Sequence, residues 1–224
     1  MTEPSLPFLA PAVLRRQKAG KRELLASSRK DAAKTIGAIV AEIDITGITS
    51  GQFSLIDIID HVLDEIGPSR LSITSWRVGS AQAFRMRHSL QSGRVTGFRW
   101  MIDPGAIAMG ENTVEYLFDN FGPDCLRLVN THAKFATIRN DRLSVSLRSS
   151  MNLNWNGRLE QFDLTEGREM ADFFDGIFDA FWRGCPYSMQ ADQSRRQYTK
   201  IFAQHTGEEL PHDTAWTRGL KANW

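Results

Sequence analysis

CLRLVNTHAKFATIRNDRLSVSLRSSMNLNWNGRLEQFDL, residues 125–164, is the stretch that decides the fold. Three runs within it, CLRLVNTHAKFATI (125–138), LSVSLRSSMNL (143–153) and RLEQFDL (158–164), read as strands joined by short connections. Between the first two, Arg139-Asn140-Asp141-Arg142 supplies the Asn and Asp that suit a tight reversal, so a hairpin is expected. Side chains two apart on a strand share a face, which pairs His132 with Lys134 and Ser150 with Asn152. Folded back at the hairpin, the two pairs meet at one end of a sheet.

Working outward, LSITSWRV (71–78) and VTGFRWMI (95–102) read as strands, and Ser80 to Ser92 and Asn112 to Phe121 as helices. Strands alternating with helices predict an α/β fold, a sheet with helices on both faces. In FSLIDIIDHVLDEIG, Leu55, Ile59, Val62 and Ile66 recur at helical spacing, Ser54 and Asp57 resemble a capping box, and Gly67-Pro68 ends the helix. Asp57, His61 and Asp64 on its polar side are expected to be solvated. Met170, Phe173, Phe174, Ile177, Phe178 and Phe181 form a second helical stripe, whose role is core packing.

The expected domains are a basic N-terminal helical arm (1–50), a catalytic α/β domain (51–185) and a polar C-terminal helix and tail (186–224). Residues 1–36 hold eight Lys or Arg against three acids, and Arg15, Arg16, Lys18, Lys21 and Arg22 are candidate contacts for a phosphate backbone. His205 and His212 with Glu208 and Glu209 read as part of a polar, Pro-interrupted tail rather than a metal site.

Bulk properties narrow the class. A chain of 224 residues, 42% hydrophobic and 24% charged, can bury an ordinary core and does not match disordered or fibrous composition. A net charge of +1 gives no global field towards nucleic acid or lipid. Cys125 and Cys185 lie too far apart for a zinc or redox pair. No apolar run approaches a membrane span, so the expectation is a soluble, cytoplasmic protein with no membrane partner. Glycine-rich nucleotide loops, G-x-S-x-G and H-E-x-x-H are missing.

The cluster of His132, Lys134, Ser150, Asn152 and Glu160 suits attack on a phosphodiester. An imidazole supplies the nucleophile, Lys134, Ser150 and Asn152 bind the phosphate, and Glu160 can hold the imidazole tautomer. No metal and no cofactor is required. The pattern H-x-K, S-x-N and a following Glu, on alternating strands and helices from about Leu71 to Trp182, resembles the phospholipase D-like phosphodiesterase superfamily. That covers roughly half of the chain. The family's Asp place is taken by Arg139, with Asp141 the nearest carboxylate, and its usual glycine is Ser149. Asp141, Ser149 and Asn154 are supporting candidates.

The resemblance implies a metal-independent phosphodiesterase. Its first reading is a nuclease, with DNA ahead of RNA as partner. Only one H-x-K is present, and single-motif members of this superfamily dimerise, so a homodimer with a phosphohistidine at His132 is expected. One alternative is a nucleic-acid-binding or scaffolding module without turnover. A third is phospholipid hydrolysis or phosphatidyl transfer.

Overall fold

The backbone of Ser54–Leu90 shows how local chemistry builds the sheet's first cover. Ser54 N and Oγ both donate to Asp57 Oδ2 at 2.7 Å, closing the N-terminus of one helix, and Gly67, at φ 87°, ends it by donating to the Leu63 carbonyl. In this computed structural model, which describes residues 22–26, 31–103, 116–117, 119–121 and 124–184, that helix is one of four described in full. They are α1 (Ala32–Ile36), α2 (Leu55–Ile66), α3 (Ser80–Gln91) and α4 (Arg168–Gly184).

The strands are β1 (Arg22–Ala26), β2 (Asp44–Thr49), β3 (Ser69–Ser75), β4 (Val95–Ile102), β5 (Leu126–Leu128), β6 (Phe135–Arg139), β7 (Ser144–Ser149) and β8 (Glu160–Glu166). They form one mixed sheet in the order β1-β2-β8-β7-β6-β3-β4-β5. The pairs β1–β2, β3–β4 and β4–β5 are parallel, and every pairing from β2 through β8, β7 and β6 to β3 is antiparallel. The expected hairpin is β6–β7. Asn140 makes its turn, with Oδ1 accepting from Arg142 N at 2.9 Å and Leu143 N at 3.0 Å.

Alternation along the strands sorts the two faces. Leu71, Ile73, Trp100, Ala136, Ile138, Val145, Leu147, Phe162 and Leu164 join the residues of α1, α2 and Ala83 and Met86 of α3 in the main core. The opposite face holds Met101 and Phe135, which pack with Val129 and α4's Phe178. Polar side chains share that face: Arg139 bonds Asp172 and Asp175, and Thr137 bonds Asp175. Arg99 pairs with Asp179. Helices thus flank the sheet on both faces, as the alternation of elements predicted.

Two expectations are corrected. Residues 22–26, including Arg22, form a strand rather than a helical arm, and β2 pairs with β8, so the sheet crosses the boundary expected at residue 50. The reason is that 22–26 pairs with 44–49, which in turn pairs with 160–166 more than a hundred residues on, and local charge density reveals neither partner. Arg15, Arg16, Lys18, Lys21 and the tail from 186 lie outside the described residues. On α2, Asp57, Asp60 and Asp64 are ion-paired with Arg85 and Arg94, and His61 is buried with Nε2 donating to the Gly37 carbonyl at 2.7 Å. That side of the helix is therefore a contact surface at Asp57, Asp60 and His61, while Asp64 is exposed as expected.

Candidate active site

All the candidate residues near His132 come from one end of the sheet. There β3, β4 and β5 finish, β6 starts, β7 finishes and β8 starts, as their pairing directions require. The carboxyl ends of parallel strands are the usual location of sites in open α/β sheets.

His132 and Lys134 do not lie on a strand. Residues 129–134 are the crossing by which the chain leaves β5, at the sheet's edge beyond β4, and reaches β6 on the other side of β3. The crossing is tied down where it passes each strand end. Val129 N donates to the Ile102 carbonyl at 2.9 Å, Thr131 N donates to Asp103 Oδ2 at 2.8 Å, and Ser149 N donates to the Lys134 carbonyl at 3.0 Å. His132 thereby stands exposed above the ends of the strands, while Lys134 is buried, 9% exposed.

The two side chains still meet, because the lysine folds back. Lys134 Nζ donates to the His132 carbonyl at 2.6 Å and lies 3.3 Å from His132 Nδ1. An ammonium has donors only, so Nδ1 accepts and the imidazole proton sits on Nε2. Partial burial and the Lys134 charge lower the His132 pKa, opposed by the Asp103 carboxylate. Burial likewise lowers the Lys134 pKa, with Glu160 and Asp103 pulling the other way. The result is a buried cation, acted on by the charge of two carboxylates, beside an imidazole that stays neutral to a lower pH than usual.

The remaining candidates divide. Ser150 Oγ donates to Glu160 Oε2, and Asn156 Nδ2 donates to Glu160 Oε1 at 3.3 Å. Glu160 thus binds Ser150 and Asn156 rather than His132, a correction to its expected role as the imidazole's partner; it acts on Lys134 through its charge. Ser149 Oγ donates to the Gln161 carbonyl at 2.8 Å and accepts from Met151 N at 2.9 Å, which turns the chain after β7. Asn152 and Asn154 straddle Leu153, whose N–H donates to Ser75 Oγ and to the Arg77 carbonyl, both at 3.1 Å. The Oδ1 atoms of both asparagines are buried without a hydrogen-bond partner.

Asp141 is not brought to the site. It sits in the β6–β7 turn at the opposite end of β6 from His132, a separation of roughly 20 Å at about 3.3 Å per residue. Arg139, in the place of the family's Asp, points to α4, with Nη1 2.7 Å from both Asp172 Oδ1 and Asp175 Oδ2.

Three residues that the sequence reading did not single out join the cluster. Asp103 follows β4 and is buried. Trp76 follows β3, its ring 5.3 Å from the His132 ring, and the Arg77 guanidinium lies 4.0 Å from the Trp76 ring centroid. Their one available signal was position: each stands within two residues of the end of a strand of the parallel block.

No protein-family model matches the chain, and no curated protein matches it. Among solved structures it is similar to polyphosphate kinase from Porphyromonas gingivalis at 17% identity and a TM-score of 0.48, over 66% of this chain and 27% of that one. The chain therefore spans about a quarter of that protein's length. Among the described residues, no helix is long and apolar enough to cross a membrane.

Proposed function

We propose that the chain is a metal-independent phosphodiesterase acting on nucleic acid, a nuclease, and that it works as a homodimer through a phosphohistidine at His132. The observation that carries this reading is an exposed imidazole over a buried ammonium, at an open sheet end where two carboxylates act on that ammonium. His132 of one protomer attacks phosphorus, forming a P–N bond and breaking the P–O ester bond, while the second copy's His132 gives its proton to the leaving oxygen. Water then displaces the histidine from phosphorus with the roles reversed. Lys134 and Asn152 serve as donors to the nonbridging oxygens, whose charge rises in the transition state.

The proton-donating copy must be the imidazolium, because a neutral ring that gave up its Nε2 proton would be left as an anion. The nucleophilic copy needs its proton on Nδ1, the nitrogen that faces Lys134 Nζ, so in that copy the ammonium turns from the ring to the phosphate. A two-fold axis through the site would supply both copies.

The test uses purified full-length protein in excess chelator with single-stranded DNA, duplex DNA, RNA and a bis-aryl phosphodiester. His132→Ala should abolish cleavage, and Lys134→Ala should reduce it about 10²–10³-fold. Cleavage unchanged in His132→Ala, or a strict need for Mg²⁺, refutes the mechanism. A light-scattering mass of one chain refutes the dimer.

A second reading, a nucleic-acid binder without turnover, is favoured by two observations: Arg139 is committed to α4, and Glu160 is committed to Ser150 and Asn156. It predicts salt-dependent binding without product. Trapping phosphate on His132 excludes it.

A further inference from the structure

The connection between β7 and β8 carries Trp155 and Leu159, which are 68% and 73% exposed, the most exposed large apolar side chains among the described residues. The indole is anchored by its edge. Trp155 Nε1 donates to the Gly51 carbonyl at 3.3 Å, and a Cβ built on Gly157 would lie 3.5 Å from Trp155 Cη2. Gly51 and Gly157 pack so closely that a Cβ on Gly51 would come within 2.8 Å of Gly157 Cα. Holding a large ring by its edge leaves its surface to solvent, a costly arrangement for folding alone. The next residue, Asn156, bonds Glu160, which in turn holds Ser150, so the indole stands two links from the phosphate cluster.

Charge on the same end of the sheet is equally unmatched. Arg85, Arg94, Arg99 and Arg139 all have carboxylate partners. Arg77 has none among the described residues; its Nε is buried without a hydrogen-bond partner, and Arg158 is near enough for its charge to act on it. Two neighbouring guanidiniums repel unless an anion lies between them. Cationic groups and aromatic faces thus lie together beside His132: Arg158 and Trp155 on the β7–β8 connection, and Arg77 and Trp76 on the segment after β3, which bonds to that connection at Leu153.

We propose that this ledge binds a single-stranded nucleic acid, with a base stacked on Trp155 and backbone phosphate held by the neighbouring Arg77 and Arg158, beside the phosphate at His132. The proposal rests on the phosphodiesterase reading and adds the substrate class. A single strand offers an open π-face beside every phosphate, which suits alternating aromatic and basic side chains. A duplex keeps its base faces inside the stack and would leave the indole without a partner. A bilayer is the less suited occupant, because two apolar side chains on a pinned loop bury little area in lipid.

The experiment measures binding without turnover. Fluorescence anisotropy of a fluorescein-labelled 12-nucleotide oligothymidine is followed with full-length His132→Ala protein in chelator, alone and with second substitutions. Trp155→Ala should weaken binding about 5- to 100-fold, the range for loss of one stacked base, and Trp155→Phe should restore most of it. Arg77→Gln and Arg158→Gln should each make the plot of log K against log salt shallower by about 0.7. A blunt duplex of equal length should be insensitive to Trp155→Ala.

Unchanged oligothymidine binding in Trp155→Ala overturns the proposal, and so does an equal loss on the duplex. A fall in light-scattering mass caused by Trp155→Ala would assign the indole to a subunit contact instead. Trp155-dependent sedimentation with phosphatidylglycerol vesicles would assign it to lipid, and either result also overturns the proposal. These binding results stand apart from the cleavage test: hydrolysis that survives loss of His132 sinks the phosphodiesterase mechanism and leaves the stacking measurement intact.

Discussion

Arg139 occupies the place where the resemblance expects an aspartate, and Arg139→Asp separates a structural role from a lost catalytic one. Arg139 Nη1 lies 2.7 Å from both Asp172 and Asp175, and Thr137 Oγ1 adds a bond to Asp175 at 2.5 Å. Arg139 and Asp175 side chains are each 20% exposed, whereas Asp172 is 64% exposed. Losing a charge-assisted bond to the half-buried Asp175 costs about 2 kcal/mol, and losing the solvent-screened one to Asp172 at most about 0.5 kcal/mol. A third carboxylate beside those two adds roughly 1 kcal/mol at an effective dielectric near that of a protein surface. The total of about 3–4 kcal/mol lowers Tm by roughly 6–16 °C for a chain of this length.

Urea and thermal melts followed by circular dichroism read the loss, and Arg139→Lys should recover part of it. Cleavage of the bis-aryl substrate should show no gain at temperatures where the variant is folded. A variant as stable as the parent, or one with raised turnover, would refute the assignment of Arg139 to the α4 contact.

The pH dependence follows from the site's charges. A lowered His132 pKa means the imidazole stays neutral to a lower pH than ordinary histidine, so the acid limb of kcat/KM lies below the usual imidazole range. Lys134→Met removes one of the two causes and should move the His132 titration upward in NMR; a downward or absent movement would contradict the geometry. In the sheet, a Cβ on Gly47 would fall 2.1 Å from Cζ and 2.4 Å from Cε1 of the fully buried Phe162, its cross-strand partner. Gly47→Ala should therefore cost about 3 kcal/mol in urea denaturation, and Phe162→Leu in the same chain should recover part. An unaffected melt would show that the ring has room to move.

Much of the architecture follows from periodicity. The strand expected at 95–102 is β4 residue for residue, the reversal at 139–142 is the β6–β7 turn, and the stripe from Met170 to Phe181 is α4. The exceptions share a cause. CLRLVNTHAKFATI alternates as one strand, yet it is two strands lying on opposite sides of the β3–β4 pair, with a crossing between them. The pattern of alternating side chains passes through that break unmarked.

The local part was legible in the chain itself: where strands and helices form, where the chain reverses, and that an imidazole and an ammonium, then a hydroxyl and an amide, stand at two-residue spacing. These follow from steric preferences between neighbours and from the pleat of a strand. Tertiary structure alone decided that His132 rides on a crossing above the strand ends, that Asp103, Trp76 and Arg77 surround it, and that Arg139 serves α4. The bonds from Thr131 to Asp103 and from Arg139 to Asp175, and the contact of the His132 and Trp76 rings, join distant residues, and their formation depends on strand order, which is set by the burial of whole faces rather than by any short run of residues.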